Sequence, residues 1–239
     1  MADTIHAMMI TGKAPERIPM ARVAVKAFLA QDYPDRCLWI INHGDQRIMA
    51  KSGEQSPRPG AVIREIMVYP QCSTKQPTLG ALRNLALSHI GDGLVMIWDD
   101  DDFARSDYMS TMRRYYQPGS IVLMRQQLRH DLLRNVTAIK FQPRGHVGQS
   151  LFSAKEARYE DLNRHEDARL VATFKDRISF NNDPLLYVRM CHNHNVWGRS
   201  HIMGRAVVAG PNRLLLTAAQ SKHIATVREM YKDYITSQG

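Results

Sequence analysis

Leu94-Val95-Met96-Ile97-Trp98 runs directly into Asp99-Asp100-Asp101-Asp102. Five apolar residues that stop at carboxylates read as a buried strand whose carboxyl end opens into a site. Folding has no need for four adjacent negative charges, which repel one another and raise each other's pKa unless a cation compensates. A hard divalent metal is the simplest compensation. Magnesium or manganese takes one or two carboxylates plus the phosphates of a substrate, so this junction points to phosphate-bearing chemistry. The competing reading is a solvated acidic turn, with Ser106 or Asp107 opening the next helix.

Working outward, apolar strand-like runs recur at Ile5 to Ile10, Leu38 to Ile41, Val62 to Val68 and Leu94 to Trp98. Helical patterns lie between them, which is a βαβ rhythm. Met20, Val23, Ala24, Ala27 and Phe28 follow the i, i+3, i+4, i+7, i+8 rule behind Pro19, a residue suited to a first helical turn. Leu79, Leu82, Ala86 and Ile90 form a second stripe, with Thr78 as N-cap and Gly91-Asp92-Gly93 as its end. Residues 50–60, rich in Ser, Pro and Gly, read as a connecting loop. Beyond the aspartates the spacing predicts antiparallel strands at Ile121 to Met124 and Thr137 to Phe141, largely helical chain from Ser153 to Lys175, and a strand from Leu185 to Met190. Ile224, Val227, Tyr231, Tyr234 and Ile235 predict a C-terminal amphipathic helix packed on the same domain.

The chain has 239 residues and is 44% hydrophobic, enough to bury a full core. No window approaches the roughly 20 apolar residues of a membrane helix, and no leader opens the sequence, so a soluble, cytoplasmic protein is expected. Cys37, Cys72 and Cys191 are widely spaced and odd in number, which fits reduced thiols. Cys191-His192-Asn193-His194 lacks a second ligand pair at finger-like spacing, which leaves structural zinc the lesser reading. The net charge of +9 favours a polyanionic partner. Between Arg105 and Arg158 ten Lys or Arg stand against three acids, interleaved with Tyr108, Tyr115, Tyr116, Phe141 and Phe152. That mixture suits unpaired bases, although a generic basic face gives the same counts.

In an open parallel sheet ligands bind beyond the carboxyl ends of the strands. Those ends here are Thr11-Gly12-Lys13, Asn42-His43-Gly44-Asp45 and the aspartates. Thr11, Gly12, Lys13 and Arg17 offer backbone donors and cations to a nucleotide and its phosphates. Arg83 and Asn84, on the helix before the aspartate strand, either bridge to the acidic loop or neutralise a diphosphate. Glu166-Asp167 falls near a helix N-terminus, where acids interact well with the dipole; the functional reading is a general base.

Taken in order, Gln31-Asp32-Tyr33-Pro34, Leu79-Gly80-Ala81-Leu82-Arg83-Asn84, Trp98-Asp99-Asp100-Asp101-Asp102, Glu166-Asp167 and Arg189-Met190-Cys191-His192-Asn193-His194-Asn195 resemble the family 2 glycosyltransferases of the GT-A fold. The resemblance implies a mixed, mostly parallel α/β sheet flanked by helices, a nucleotide-sugar donor (a UDP-sugar first), Mn2+ or Mg2+, and inversion at the anomeric carbon. It places Asp99 and Asp101 in the Asp-x-Asp metal motif, with Asp100 and Asp102 as neighbours. Asp167 takes the position of the base, with Glu166 beside it, and His192 that of a contact to metal or diphosphate. Two departures stand out: Asn42-His43-Gly44-Asp45 replaces an acidic pair that often grips the nucleoside, leaving Asp45 as the nearest carboxylate, and His194 occupies a position where small residues are usual.

The expectation is therefore one GT-A-like domain over residues 1–239, with a nucleotide-sugar-binding half (1–103) and an acceptor-binding half (104–239). Its charge favours a polyanionic acceptor, such as a hydroxymethylated base in phage DNA modified in the host cytoplasm. Saccharide, lipid-linked or teichoic-type acceptors are the alternatives. A metal-dependent nuclease or a non-enzymatic nucleic-acid-binding module is the rival of another class.

Overall fold

The computed structural model describes residues 3–12, 14–49, 59–69, 76–204, 207–208 and 216–238. Lys13, Cys72 and nearly all of the 50–60 loop lie outside the described residues. The chain begins with β1 (Ile5–Thr11), a 3-10 turn (Pro15–Arg17), α1 (Ile18–Leu29), β2 (Arg36–Asn42) and β3 (Ala61–Met67). Next come α2 (Leu79–Ile90), β4 (Leu94–Ile97), β5 (Phe103–Ala104), α3 (Tyr108–Tyr115), β6 (Ser120–Met124), β7 (Gln126–Asp131), β8 (Val136–Phe141) and β9 (Ser150–Ser153). The remainder comprises α4 (Glu166–Thr173), β10 (Asp176–Phe180), β11 (Tyr187–Cys191), α5 (Arg199–Met203), β12 (Val207–Val208), α6 (Ala218–Met230) and α7 (Lys232–Ser237).

The first half assembles as its periodicity requires. β3, β2, β1 and β4 lie side by side and parallel, and the sheet continues through β9, β6 and β10 to seven strands. β9 runs antiparallel to both β4 and β6, so the sheet is mixed but mostly parallel. Thr78 caps α2, its Oγ1 accepting from Ala81 N at 3.1 Å, and Gly91 ends the helix at φ 70°. α1 buries two faces. Ala21, Ala24, Ala27 and Phe28 join the core above the large sheet, whereas Met20 and Val23 join a second core with Leu128, Val188 and Met190.

A smaller sheet, β12-β8-β7-β11-β5, supplies that second core, which α6 and α7 close with Ile224, Val227, Tyr231 and Tyr234. The expected C-terminal helix is thus two helices that meet at Tyr231, where the backbone leaves helical geometry at φ −97°, ψ 11°.

The runs around Ile121 and Thr137 are strands with antiparallel partners, as expected, but in different sheets: β6 pairs with β9 in the large sheet, and β8 with β7 in the small one. One expectation is corrected. Residues 153–175 are not largely helical. After a 3-10 turn at Ala154–Glu156 the chain is irregular until Glu166, because Asn84 holds the Tyr159 backbone at both N and O (2.9 Å each) and Asp161 accepts from Thr78. An extended segment pinned to the start and middle of α2 cannot coil.

Candidate active site

A cleft of about 680 Å³ opens at the carboxyl ends of β1 and β4 and gathers the aspartate loop, Arg17, Arg83, Glu166, Asp167 and Arg189. Pockets of this size take nucleotide-sized ligands. At one end Thr11 and Gly12 form the wall. The Thr11 hydroxyl is buried with no hydrogen-bond partner among the described residues. Gly12 holds φ +125°, and a Cβ on either Gly12 or Gly44 would overlap the other residue's backbone. This contact needs two glycines. His43 N donates to Thr11 O (2.9 Å), and the buried Asn42 side chain fixes the turn by accepting from Gly44 N (2.9 Å) and donating to Gln46 O and Glu65 Oε1. Asn42 is thereby fully engaged, and Asp45 is exposed outside the cleft wall, so among the described residues no carboxylate lines the cleft at this end.

The four aspartates have separate environments. Arg17 donates to both oxygens of Asp100, to Asp101 Oδ2 (3.0 Å) and to the His194 carbonyl (2.8 Å). Asp101 Oδ2 also meets His192 Nε2 at 3.0 Å and Asn195 Nδ2 at 3.2 Å. Burial alone would raise the Asp101 carboxyl, but Arg17 and His192 override it and hold the group below the carboxylate range. Asp99 accepts from Gln149 Nε2 (3.2 Å) and Tyr187 Oη (3.4 Å). Burial and then the Asp101 charge push its carboxyl up, against the pull of Arg189 and Arg83. Asp102 faces inward, accepting from Tyr187 Oη (2.9 Å) and Met190 N (2.8 Å). It anchors β11 and takes no part in the cleft wall.

Across the cleft, Arg83 Nη1 donates to Glu166 Oε1 (3.0 Å) and to Asp167 Oδ1, and its guanidinium lies 5.1 Å from the Tyr159 ring centre. Arg83 is thus committed to this acidic pair, and Asn84 points away to Tyr159. Arg83 also lines the cleft and its charge acts on Asp99. Glu166 is buried, whereas Asp167 is partly open and lines the cleft. Its Oδ2 lies 3.7 Å from where a Cβ on Gly148 would stand.

Among the described residues no group of three or more His, Cys, Asp or Glu side chains is arranged to hold a metal. Asp101 and His192 are brought together; Asp99 is turned to Gln149 and Tyr187. Asp101 Oδ2 and His192 Nε2 face each other at 3.0 Å and the His192 side chain is fully buried; this carboxylate–imidazole pair suits a hard or borderline divalent ion once the ion replaces their mutual contact.

Sequence reasoning missed Gln149 and Tyr187, and gave no role to Arg189 and Asn195 although both fall within the motif from Arg189 to Asn195. Arg189 is half-buried beside the aspartates and lines the cleft: desolvation opposes its charge, and Asp102, Asp99 and Asp101 outweigh that, so its pKa rises. Alternation along β11, with Val188 and Met190 in the second core, was the available signal that Arg189 faces the other way. The basic run also resolves differently from expectation. Arg105, Arg113, Arg134 and Lys155 pair with Asp107 and Asp183, Asp3, Asp131, and Asp92. Arg129 is buried, Tyr108 and Phe152 are core residues, and Tyr115 stacks on Phe180. These residues do not make one stacking surface for bases.

No family model matches the chain, and no curated protein matches it in sequence. Solved structures do match. S. aureus TarS aligns at TM-score 0.55 and 9% identity over 78% of this chain and 36% of that one. TarS 1-349 in complex with UDP aligns at 0.52 and 10%, over 78% and 60%. Mannosyltransferase PcManGT from Pyrobaculum calidifontis, in complex with GDP-Man and Mn2+, aligns at 0.54 and 12%, over 82% and 59%. The chain spans less than two thirds of each of these chains. The shared architecture is the GT-A-like glycosyltransferase fold.

Proposed function

We propose that this chain is an inverting glycosyltransferase that moves a sugar from a nucleotide-sugar to an acceptor hydroxyl. The observation that carries the reading is the single cleft in which Asp167 stands across from the aspartate loop, at the carboxyl ends of a GT-A-like sheet. Residues 1–103 form the donor half in this reading, and residues 104–239 the acceptor half. The donor's base and ribose lie along Thr11, Gly12 and His43, with Lys13 the nearest further cation in sequence.

Asp167 Oδ2 receives the proton of the acceptor hydroxyl. The acceptor oxygen then forms its bond to the anomeric carbon as the bond from that carbon to the diphosphate oxygen breaks, and one displacement gives inversion. Arg83 orients the base by holding Oδ1, and Glu166 shares that guanidinium from its buried position. Arg189 and Arg17 place positive charge by the leaving diphosphate. Asp101 and His192, with Asp99 adjacent, would hold Mn2+ or Mg2+, which when bound neutralises the diphosphate. The neighbours described with UDP and with GDP-Man and Mn2+ support this class of donor and metal.

The acceptor in this reading is a polyanion, of which a hydroxymethylated base in DNA is the case to test first. That part now rests on the net charge of +9 and not on the Arg105–Arg158 run. The test is a screen of labelled UDP- and GDP-sugars with Mn2+ for slow transfer to water. Release of free sugar from one donor, abolished in Asp101→Asn, supports the reading; no release and no nucleotide binding across the panel overturns it.

A further inference from the structure

Beside the acidic pair the cleft rim carries a second cluster that the reaction above does not use. Trp197 lies between two segments: His201 stacks on it at 4.3 Å with an interplanar angle of 19°, the Arg164 guanidinium sits 5.0 Å from its ring centre, and His165 meets it edge-on at 5.1 Å. Arg164 also donates to the Val196 carbonyl at 3.1 Å. His165 adopts φ +66°, a left-handed conformation that costs about 1 kcal/mol or more in a non-glycine residue, and Trp197 packs against that strained position. The side chains of Arg164, His165 and His201 are exposed, and all three line the same cleft as Asp167, which follows His165 by two residues.

After burial, the groups acting most strongly on the His201 imidazole are Lys140, Arg189, Arg129 and His165, with no carboxylate among them. Glu166 and Asp167 are already tied to Arg83. A neutral hydroxyl ligand needs no such concentration of donors. A phosphate does: its oxygens match a guanidinium fork and imidazole N–H groups.

We propose that Arg164, His165 and His201, fixed about Trp197, form an anion subsite that takes a phosphate group of the acceptor next to the hydroxyl that Asp167 deprotonates. This rests on the transferase reading for the role of the subsite, but not for its existence. The subsite sets acceptor choice, with Trp197 as a positioning residue that holds the three donors at the mouth of the cleft.

The direct probe is methyl phosphate, titrated into the full chain in the presence of saturating UDP and followed by histidine imidazole NMR. Saturable shifts of the His165 and His201 signals, assigned with His165→Gln and His201→Gln, are expected. They should weaken about tenfold in a folded Arg164→Gln variant, the cost of one charge-assisted hydrogen bond, and return with Arg164→Lys. With the donor found by the hydrolysis screen, the ratio of kcat/KM for phosphate-bearing over neutral acceptors should fall by a similar factor in Arg164→Gln. Glycerol phosphate and a hydroxymethylated oligonucleotide serve as the acceptor arms, separating a small phosphorylated alcohol from a phosphodiester polymer. Imidazole shifts that do not saturate, or neutral saccharides that serve as well as phosphorylated acceptors, overturn the subsite. Saturable shifts with neither hydrolysis nor binding of any nucleotide-sugar support the subsite and overturn the transferase reading alone.

Discussion

Asp102 carries its carboxyl into the protein, where Tyr187 Oη and Met190 N hold it. Burial first, then Asp101 and Asp99, push that carboxyl well above its ordinary value, so its hydrogen bonds matter more than its charge. Asp102→Ala should therefore cost about 1–3 kcal/mol by leaving the Met190 N–H unpaired, and Asp102→Asn less than half of that, read from urea unfolding. Across the cleft the roles reverse. Asp167→Asn should leave the fold and UDP binding intact while transfer falls by roughly 100-fold or more, measured as kcat with the donor found by the screen. Arg83→Leu should instead destabilise by about 3–5 kcal/mol, because it strands buried Glu166 without its partner; a melting temperature unchanged in that variant would remove Arg83 from its positioning role. The residue types at this site were legible in the sequence because carboxylates at a strand end have few structural uses. The pairings were not. That Arg17 binds Asp100 and Asp101 and Arg83 binds Glu166 and Asp167 depends on elements separated by about 80 residues, and no local spacing encodes it.

At the scale of elements, the stretches with one strong period were readable. β1, α1, β2, α2 and β4 fall where alternating apolar runs and helical stripes put them, since each presents a single face or run to the large sheet. The second half was less so. β6 and β8 have the same local signature, but the first lies fully inside the large sheet and the second in a small one, a choice made by tertiary partners alone. Residues 157–165 carry ordinary helix formers, and side-chain bonds from α2 override that propensity. The β1 and β2 turns give a testable case. Because Gly12 and Gly44 touch backbone to backbone, Gly44→Ala must separate the two turns, and nucleotide affinity should fall by about tenfold or more by calorimetry. Gly119→Ala, whose added Cβ meets nothing within 4 Å, is the control for strain at positive φ without a clash.

Over the whole molecule, the charge that suggested a polyanion is spent partly inside the fold, and two histidines, His130 and His146, are buried as neutral rings. His130, with Nδ1 2.9 Å from Thr137 Oγ1 and Nε2 without a partner among the described residues, is held down to about 4 by burial and then by Arg228. His146, 3.3 Å from the Lys140 carbonyl, is held down to about 3, again chiefly by burial. Between the unfolded value of 6.5 and these folded values the unfolded chain binds more protons, so stability is full above pH 6.5 and falls as pH drops toward 4. His130 alone should contribute a loss of about 3 kcal/mol by pH 4. Urea unfolding at pH 7.5, 6, 5 and 4 should show this slope, and His130→Gln or His146→Gln should each flatten it relative to the parent chain. Equal slopes in parent and variants would place the protons on other groups. The same series separates stability from chemistry, because neither histidine lines the cleft, and donor binding per folded molecule should be unchanged by His130→Gln or His146→Gln at each pH.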